Sequence, residues 1–260
     1  MAVNHYISGH VGVISMAETG KRNALSVEHV QQLLDAMTTL KKSARALVIC
    51  STASVFCAGA DLSAQPAVGS AGTAGSAGLS PIDLFEAIAK ETRPVIAAVD
   101  GAAVGGGFEL TLCCDFVVAS PKAYFAFPEL GVGRVPGTGL ARLSGLIGLR
   151  KAKELVMTRR RLSAEEALSF GLVNSVVHGN MVVQEAIALA EDIVAEAPPT
   201  AIAAVKSDFE RVMDSDWNWF RDSREYLDPA EREEGVAAFI GKRKPDFQRF
   251  WNAGPLRNKG

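Results

Sequence analysis

Three consecutive glycines, Gly105 to Gly107, are the feature that most constrains how this chain folds. Glycine inside a helix or strand lowers stability, so a run of three indicates that another group, either a chain segment or a ligand, comes close to the backbone there. The run follows the apolar segment at 94–99 and precedes the segment at 108–110, which predicts a buried strand, a tight turn and a helix start. The turn either packs against another segment or presents helix N-terminal N–H groups to a ligand oxygen, and the glycines alone leave both readings open.

A second segment of the same form lies earlier in the chain. The apolar run at 46–50 leads through a short loop into Phe56-Cys57-Ala58-Gly59-Ala60-Asp61. Buried strands that deliver small-residue turns are typical of layered α/β folds, in which sites form at strand ends. We therefore expect the two turns to converge. The backbone N–H groups of Ala58 and Gly106 would then face one oxygen as an oxyanion hole.

Two glutamates stand beside these turns. Glu109 follows Gly106 by three residues in an otherwise apolar stretch, where a buried carboxylate needs a partner or a function. Its alternative role is that of a first-turn glutamate at the helix dipole. Glu129 also lies in an apolar run, and alternatively caps the helix near 139 or pairs with Arg134 or Arg142. Two carboxylates in a dry pocket repel, so the pKa of one should rise, and one can act as acid while the other acts as base.

The rest of the chain predicts an α/β core, residues 1–197, followed by a helical region, residues 198–260, with the boundary at Pro198-Pro199. The tract at 66–80 is nearly all Gly, Ala and Ser, which is typical of a flexible surface loop. Strands are predicted at about Asn4–Ser8, Val11–Met16, 116–120, 123–127 and 174–177. Helices are predicted from Ser26 and near 81–91, 139–147, 150–158, 163–170 and 181–196.

Composition narrows the class of protein. The 260 residues are 48% hydrophobic and 22% charged, which is the balance of a soluble globular protein. A formal net charge of −2 gives no field that would draw the chain to nucleic acid or to an anionic membrane. No stretch reaches transmembrane length, and the N-terminus does not read as a signal peptide. The four cysteines and four dispersed histidines show no metal-ligand spacing, so we expect reduced thiols, no metal and a cytoplasmic location.

Six segments in order resemble the crotonase superfamily, and most closely the enoyl-CoA hydratases. They are KRNALS at 21–26, FCAGADL at 56–62, AAVDGAAVGGGFEL at 97–110, FPELGVGRVPGTG at 127–139, SAEEALSFGLVNSVV at 163–177 and EEGVAAFIGKRKPDF at 233–247. The resemblance implies an α/β crotonase-like spiral of ββα turns with a C-terminal helical trimerisation region. It also implies a homotrimer or a dimer of trimers.

The resemblance assigns roles to the four residues singled out above. Ala58 and Gly106 match the family's oxyanion hole, and Glu109 and Glu129 match its two glutamates. Because both acids are present, it implies reversible syn addition of water to a trans-2-enoyl-CoA, giving a 3-hydroxyacyl-CoA through a thioester enolate. Glu109 would help to remove a proton from water, and Glu129 would deliver a proton to the α-carbon.

Coenzyme A binding is also implied by the resemblance, with coenzyme A as part of the substrate and no prosthetic group. The backbone from Ala58 through Ala60, Asp61 and Leu62 would face the adenine and pantetheine, with Lys21 or Arg22 near phosphate. Phe239 and Lys242 would reach the ligand of a neighbouring subunit. Simpler interpretations are a turn at Lys21-Arg22 and a solvated helix end around Lys242, since exposed basic residues are common.

Other functions are compatible with the same residues. A crotonase-type hydratase-lyase, dehydratase or isomerase acting on a branched, aromatic or carnitine-like acyl-CoA would keep both acids. A non-catalytic, RNA-binding relative would not need them, and the chain lacks a basic stripe. The stretch VPGTGLARL at 135–143 is one residue shorter than the form common in hydratases, which is expected to reshape the acyl pocket near Glu129. Trp217, Trp219 and Phe220 are expected to pack in the core or between subunits.

Overall fold

A computed structural model describes residues 2–61, 79–213 and 229–247 of the chain. Its strands are β1 (Val3–Ser8), β2 (Val11–Met16), β3 (Ala46–Ser51), β4 (Val55–Cys57), β5 (Val95–Val99), β6 (Ala102–Val104), β7 (Phe116–Ala119), β8 (Tyr124–Ala126), β9 (Leu162–Ser163) and β10 (Ser175–Val176). Its helices are α1 (Val27–Thr39), α2 (Pro81–Ala89), α3 (Gly106–Cys113), α4 (Gly139–Ile147), α5 (Leu149–Thr158), α6 (Ala164–Ser169), α7 (Val182–Glu196), α8 (Pro199–Val212) and α9 (Pro229–Ile240). Short 3₁₀ helices occupy Leu40–Lys42, Glu129–Val132 and Gly179–Met181.

The strands form two sheets. The larger has six strands in the order β1-β2-β3-β5-β7-β10, and all neighbours are parallel except β1 and β2. The smaller has four strands in the order β4-β6-β8-β9, with β4, β6 and β8 parallel and β9 antiparallel to β8. From β3 to β8, consecutive strands therefore alternate between the sheets: β3, β5 and β7 lie in the large sheet, and β4, β6 and β8 lie in the small one.

This alternation produces a repeated ββα turn. The pair β3 and β4 precedes α2, the pair β5 and β6 precedes α3, and the pair β7 and β8 precedes α4. Each turn crosses from the large sheet to the small sheet before its helix begins, so the ends of β4 and β6 are brought side by side. The predicted spiral of ββα turns is confirmed.

One large apolar core fills the space between the sheets and the helices. Five phenylalanines from the two predicted site segments and their neighbours lie at most 1% exposed: Phe56, Phe85, Phe108, Phe125 and Phe127. The other face of the large sheet is covered by α7, whose Val182, Ala186 and Ala190 are all fully buried. The strands β3 and β5 are buried on both faces, as their unbroken apolar sequence predicted.

The short strands were the part of the fold that the sequence analysis did not predict. The segments 55–57 and 102–104 were placed in the connections and small-residue turns that follow the two buried strands, yet they form β4 and β6. A three-residue strand has no room to show alternation, and its stability comes from pairing with neighbouring strands, β4 with β6 and β6 with β8, rather than from its own residues. The longer predicted elements are confirmed, with ends that shift by one or two residues.

The C-terminal region is helical, as predicted. Helix α8 is joined to the core by ion pairs of Glu210 with Arg142 and of Lys206 with Asp115. Helix α9 packs on the 3₁₀ turn Glu129–Val132, and a Cβ added at Gly235 would lie only 2.3 Å from the Val132 carbonyl carbon. The trimerisation role and the division at residue 198 stay predictions. Residue Leu62, the part of the small-residue tract at 66–78, and the aromatic residues Trp217, Trp219 and Phe220 lie outside the described residues.

In the parts of the chain that the structure describes, no helix has the length and apolar content needed to span a membrane.

Candidate active site

The two small-residue turns converge, as the sequence predicted. Gly59 has φ +92°, and a Cβ added there would lie 2.8 Å from the Val104 carbonyl oxygen and 3.1 Å from the Gly106 nitrogen. A Cβ added at Gly107 would lie 2.3 Å from the Cys57 carbonyl oxygen. Both contacts are with backbone atoms, which cannot move aside without moving a strand. Only glycine therefore allows the end of β4 to touch the start of α3.

The two proposed donor amides differ in their surroundings. Gly106 begins α3, and the first N–H groups of an α-helix have no partner inside the helix. The Ala58 N–H, in contrast, donates a 3.1 Å hydrogen bond to the Arg22 carbonyl oxygen. That length is at the long end of the range for N–H···O bonds. A ligand oxygen would have to share or replace the Arg22 acceptor, a condition that the sequence did not reveal.

Glu109 is the buried acid of the site. Its side chain projects from the first turn of α3, the residue is 6% exposed, and all eight residues of that helix are buried. The carboxylate Oε1 accepts a 2.9 Å hydrogen bond from the Gly139 N–H and a 3.4 Å hydrogen bond from the Thr138 hydroxyl. Both donors belong to the N-terminus of α4, where the helix dipole favours negative charge. Glu109 is therefore oriented by a second helix, and not by the dipole of its own helix alone.

Glu129 reaches the same cleft from a different element. It begins the 3₁₀ turn after β8 and is half-buried. Its Oε1 would lie 2.7 Å from a Cβ added at Gly105, the residue that immediately precedes α3 and has φ +55°. The carboxylate thus lies directly over the glycine that starts the turn carrying Gly106. The carbonyl oxygen of Gly105 also accepts the backbone N–H of Glu109, at 3.0 Å.

These groups share one cleft of about 240 Å³. Its wall includes both predicted acids and three of the predicted backbone positions: Ala58, Ala60, Gly106, Glu109 and Glu129. One side of the cleft is apolar, formed by Ile82 and Phe85 of α2 together with Val132 and Val135. The cleft therefore combines backbone donors and two carboxylates with an apolar wall, a combination suited to a ligand with a polar reacting centre and an apolar arm.

The remaining predicted site residues do not line this cleft in the described part of the chain. Lys21 Nζ and Asp61 Oδ2 form a 2.9 Å ion pair, and the hydrogen bond that the Lys21 ammonium donates to Asp61 raises the pKa of Lys21. Asp61 is buried, while Lys21 and Arg22 are exposed beside it. Phe239 is 62% exposed and Lys242 is exposed with φ +50°. Because the Arg22 carbonyl accepts the Ala58 N–H, Lys21, Arg22 and Asp61 lie together beside the rim of the cleft. Phe239 and Lys242 lie on the outer surface of the C-terminal region.

Several residues of the site were not predicted. Thr138 and Gly139, which donate hydrogen bonds to Glu109, lie in the shortened stretch that was expected to reshape the acyl pocket near Glu129. Their position at the start of a helix was the available signal, because helix N-termini donate to carboxylates. Arg134 and Ser80 also line the cleft. Ser80 was placed at the end of the small-residue tract and not in the site, and it forms the N-cap of α2, the helix predicted near 81–91.

Comparison with known proteins gives a consistent result. The family model for enoyl-CoA hydratase/isomerase matches residues 6–250. A probable enoyl-CoA hydratase of Rhizobium meliloti (strain 1021) is 33% identical over 255 residues, which cover 92% of this chain and 95% of that protein. The crystal structure of an enoyl-CoA hydratase subunit from Geobacillus kaustophilus HTA426 is 35% identical, with a TM-score of 0.74 and coverage of 95% of this chain and 98% of that one.

A second solved structure has a higher TM-score at a slightly lower sequence identity. Carnitinyl-CoA hydratase from Mycobacterium avium is 31% identical, with a TM-score of 0.81 and coverage of 95% of this chain and 98% of that one. The match of the family model over nearly the whole length agrees with the spiral fold and with the order of the motifs. The chain belongs to the enoyl-CoA hydratase/isomerase family, and its resemblance to the crotonases is confirmed.

Proposed function

We propose that this protein is an enoyl-CoA hydratase, which adds water reversibly to a trans-2-enoyl-CoA to give a 3-hydroxyacyl-CoA. The observation that carries the proposal is that Glu109 and Glu129 line one cleft together with Ala58 and Gly106. Two carboxylates can divide the roles of acid and base, and two fixed amides can stabilise an enolate oxygen. The enoyl-CoA hydratase relatives support the same reaction.

In the proposed reaction the thioester oxygen accepts hydrogen bonds from the N–H groups of Ala58 and Gly106. Glu109 takes a proton from water as the water oxygen bonds to the β-carbon. The electrons of the double bond move toward the thioester oxygen, and the resulting enolate is stabilised by the two amides. Glu129 then gives a proton to the α-carbon as the carbonyl reforms. Proton exchange with solvent returns Glu109 and Glu129 to their starting states.

The substrate would enter with coenzyme A as its carrier and without a separate prosthetic group. Its acyl chain would lie along the apolar wall formed by Ile82, Phe85 and Val135. The exposed cations Lys21 and Arg22 at the rim suit the phosphates of coenzyme A, although the ion pair with Asp61 already uses part of the charge of Lys21. A role for Phe239 and Lys242 requires a neighbouring subunit, and we propose the homotrimer, or a dimer of trimers, as the working assembly.

The direct test is the loss of conjugated absorbance when straight-chain trans-2-enoyl-CoA thioesters are mixed with the protein. We expect Glu109→Gln and Glu129→Gln each to lower kcat by about 10²–10⁴-fold, because each removes one proton-transfer group. Binding of the thioester should change little, since these groups act mainly in the transition state. Wild-type-like turnover in both variants would exclude the acid–base assignment, and inactivity of the wild type on every straight-chain substrate would exclude the simple hydratase.

A second candidate is hydration or dehydration of a carnitine-like or branched acyl-CoA, which the similarity to carnitinyl-CoA hydratase favours. Both reactions would use the same acids, so mutation of Glu109 or Glu129 does not separate them. A substrate panel does, because the acyl group meets the apolar wall and Arg134 rather than the oxyanion hole. Turnover confined to branched or carnitine-like thioesters would select the second candidate. Salt-sensitive RNA binding, without a thermal shift from any acyl-CoA, would instead identify a non-catalytic relative.

A further inference from the structure

Asn23 is an asparagine in an unusual position. It is 0% exposed and has φ +55°, and its neighbour Arg22 also has φ +55°. Positive φ is uncommon outside glycine and is several-fold enriched at asparagine. A fully buried amide side chain must also find hydrogen-bond partners, since burying it without them costs free energy. Both properties indicate that few other residues could take the place of Asn23 without strain or unpaired polar groups.

The side chain of Asn23 holds the end of strand β4. Its Nδ2 donates to the Val55 carbonyl oxygen at 3.1 Å, to the Phe56 carbonyl oxygen at 3.0 Å and to Ser51 Oγ at 2.8 Å. The Oδ1 accepts the backbone N–H of Glu18 at 2.8 Å. One side chain therefore fixes two consecutive carbonyl groups of β4 and ties them to the loop that precedes α1.

Backbone carbonyl groups at and before Asn23 accept hydrogen bonds from the last residue of β4 and the residue after it, which lead into the candidate site. The Asn23 carbonyl oxygen accepts from the Cys57 thiol at 3.1 Å. The preceding carbonyl, that of Arg22, accepts the Ala58 N–H at 3.1 Å. Each of the four consecutive residues from Val55 to Ala58 therefore forms a hydrogen bond with Arg22 or Asn23. The orientation of the Ala58 peptide is set by the conformation of residues 22 and 23.

We propose that Asn23 is a positioning residue for the oxyanion hole, because its buried amide fixes the end of β4 and thereby the direction of the Ala58 N–H. This inference rests on the proposed function, in which that N–H stabilises a thioester enolate. Asn23 does not line the cleft and acts only through Ala58. Its loss should therefore weaken polarisation of the thioester carbonyl more than it weakens binding.

The test compares Asn23→Gly with the wild type. Glycine keeps the positive φ without strain and deletes every side-chain hydrogen bond. We expect kcat for trans-2-enoyl-CoA hydration to fall at least about 10-fold while KM changes less than about 3-fold, as for a group that acts in the transition state. We also expect the red shift of a bound chromophoric thioester, an aminocinnamoyl-CoA, to shrink, because the shift reports polarisation of its carbonyl by the two amides. An S-alkyl coenzyme A thioether, which lacks that carbonyl, should bind the variant and the wild type equally.

Two further variants keep the test decisive. Asn174→Gly removes an asparagine whose Oδ1 accepts the Val117 N–H at 2.7 Å and which does not line the cleft, so it should leave kcat and the red shift unchanged. Ser51→Ala removes one partner of Asn23 and should reduce the red shift by a smaller step. If Asn23→Gly does not fold, the Ser51→Ala red shift decides the question, and a wild-type value would overturn the proposal.

The experiment gives different results if the positioning role of Asn23 is wrong and if the proposed hydratase function is wrong. An unchanged kcat and red shift in a folded Asn23→Gly variant would overturn the positioning role and leave the hydratase intact. A wild-type protein that neither hydrates enoyl-CoA nor shifts the bound chromophore would overturn the proposed function first.

Discussion

The Cys57 thiol lies one residue before Ala58, is 0% exposed and donates to the Asn23 carbonyl oxygen. Burial raises the pKa of this thiol to about 12, so it stays protonated in the folded protein at neutral pH. In the unfolded chain the thiol ionises near pH 9, so unfolding releases a proton between about pH 9 and pH 12. The thiol's contribution to stability is therefore complete below pH 9 and falls as the pH rises, by about 1.4 kcal/mol per pH unit.

We expect Cys57→Ser to flatten this dependence, because serine does not titrate in that range and can still donate to the Asn23 carbonyl. Urea unfolding of both proteins at several pH values from 7 to about 10.5 measures the difference in slope. Other groups titrate there as well, but they are common to both proteins and cancel in the comparison. Parallel curves for variant and wild type would mean that the Cys57 pKa is not raised in the folded state.

At the residue scale, the sequence predicted which residues line the cleft but not the hydrogen bonds that orient them. Glu109, Glu129, Ala58 and Gly106 do line one cleft. The bond from Gly139 to Glu109 and the bond from Ala58 to Arg22 were not foreseen. Both join residues at least 30 positions apart, a separation over which the periodicity of the chain carries no information.

At the element scale, α3 and β4 touch through Gly107, which lies in the first turn of α3. Alanine is the better helix former by about 0.5–1 kcal/mol. However, a Cβ at Gly107 would lie 2.3 Å from the Cys57 carbonyl oxygen, and overpacking of this kind costs about 1–3 kcal/mol or more. We expect Gly107→Ala to lower the free energy of unfolding and to reduce turnover by moving α3 away from Ala58. Chemical denaturation and kcat on the same preparation measure both effects.

The matched control is Gly145→Ala in α4, where the added Cβ would meet only the flexible side chain of Met213 at 3.3 Å. This variant should be as stable as the wild type or slightly more stable, and fully active. Should Gly107→Ala behave in the same way, the two turns do not depend on backbone contact.

The same contrast explains which elements could be predicted. Helix α1 could be predicted because its apolar residues repeat at helical spacing and because Ser26 is a good N-cap. In the structure the Ser26 side chain accepts the His29 N–H. Strand β4 could not be predicted from its own sequence, because its three residues are stabilised by pairing with β6 and by the side chain of Asn23. Local pattern suffices where an element is long enough to bury its own face. It fails where a distant segment supplies the hydrogen bonds.

At the scale of the whole molecule, the C-terminal helix α9 is part of the environment of Glu129. Gly133, at the end of the Glu129 turn, has φ +65°, and a Cβ added there would lie 2.6 Å from the Glu231 carbonyl oxygen. Farther along α9, the Glu234 carboxylate is 6% exposed and is held by Arg243 through two hydrogen bonds of 2.6 and 3.0 Å. Helix α9 therefore supports the turn that carries Glu129 from outside, whatever its role between subunits.

Gly235→Ala tests this support. The substitution favours the helix by about 0.5–1 kcal/mol, yet the new Cβ would lie 2.3 Å from the Val132 carbonyl carbon. Because the obstacle is backbone, α9 must move away from the turn, and Glu129 loses its fixed position over Gly105. We expect kcat to fall about 10-fold or more with a smaller change in KM, since a shift of about 1 Å at a catalytic group costs about 10²-fold. Ala237→Val adds bulk to the same helix at an exposed position and should keep full activity. If both variants turned over at the wild-type rate, α9 would have no part in holding Glu129, and the C-terminal region would contribute to the protein only outside the active site.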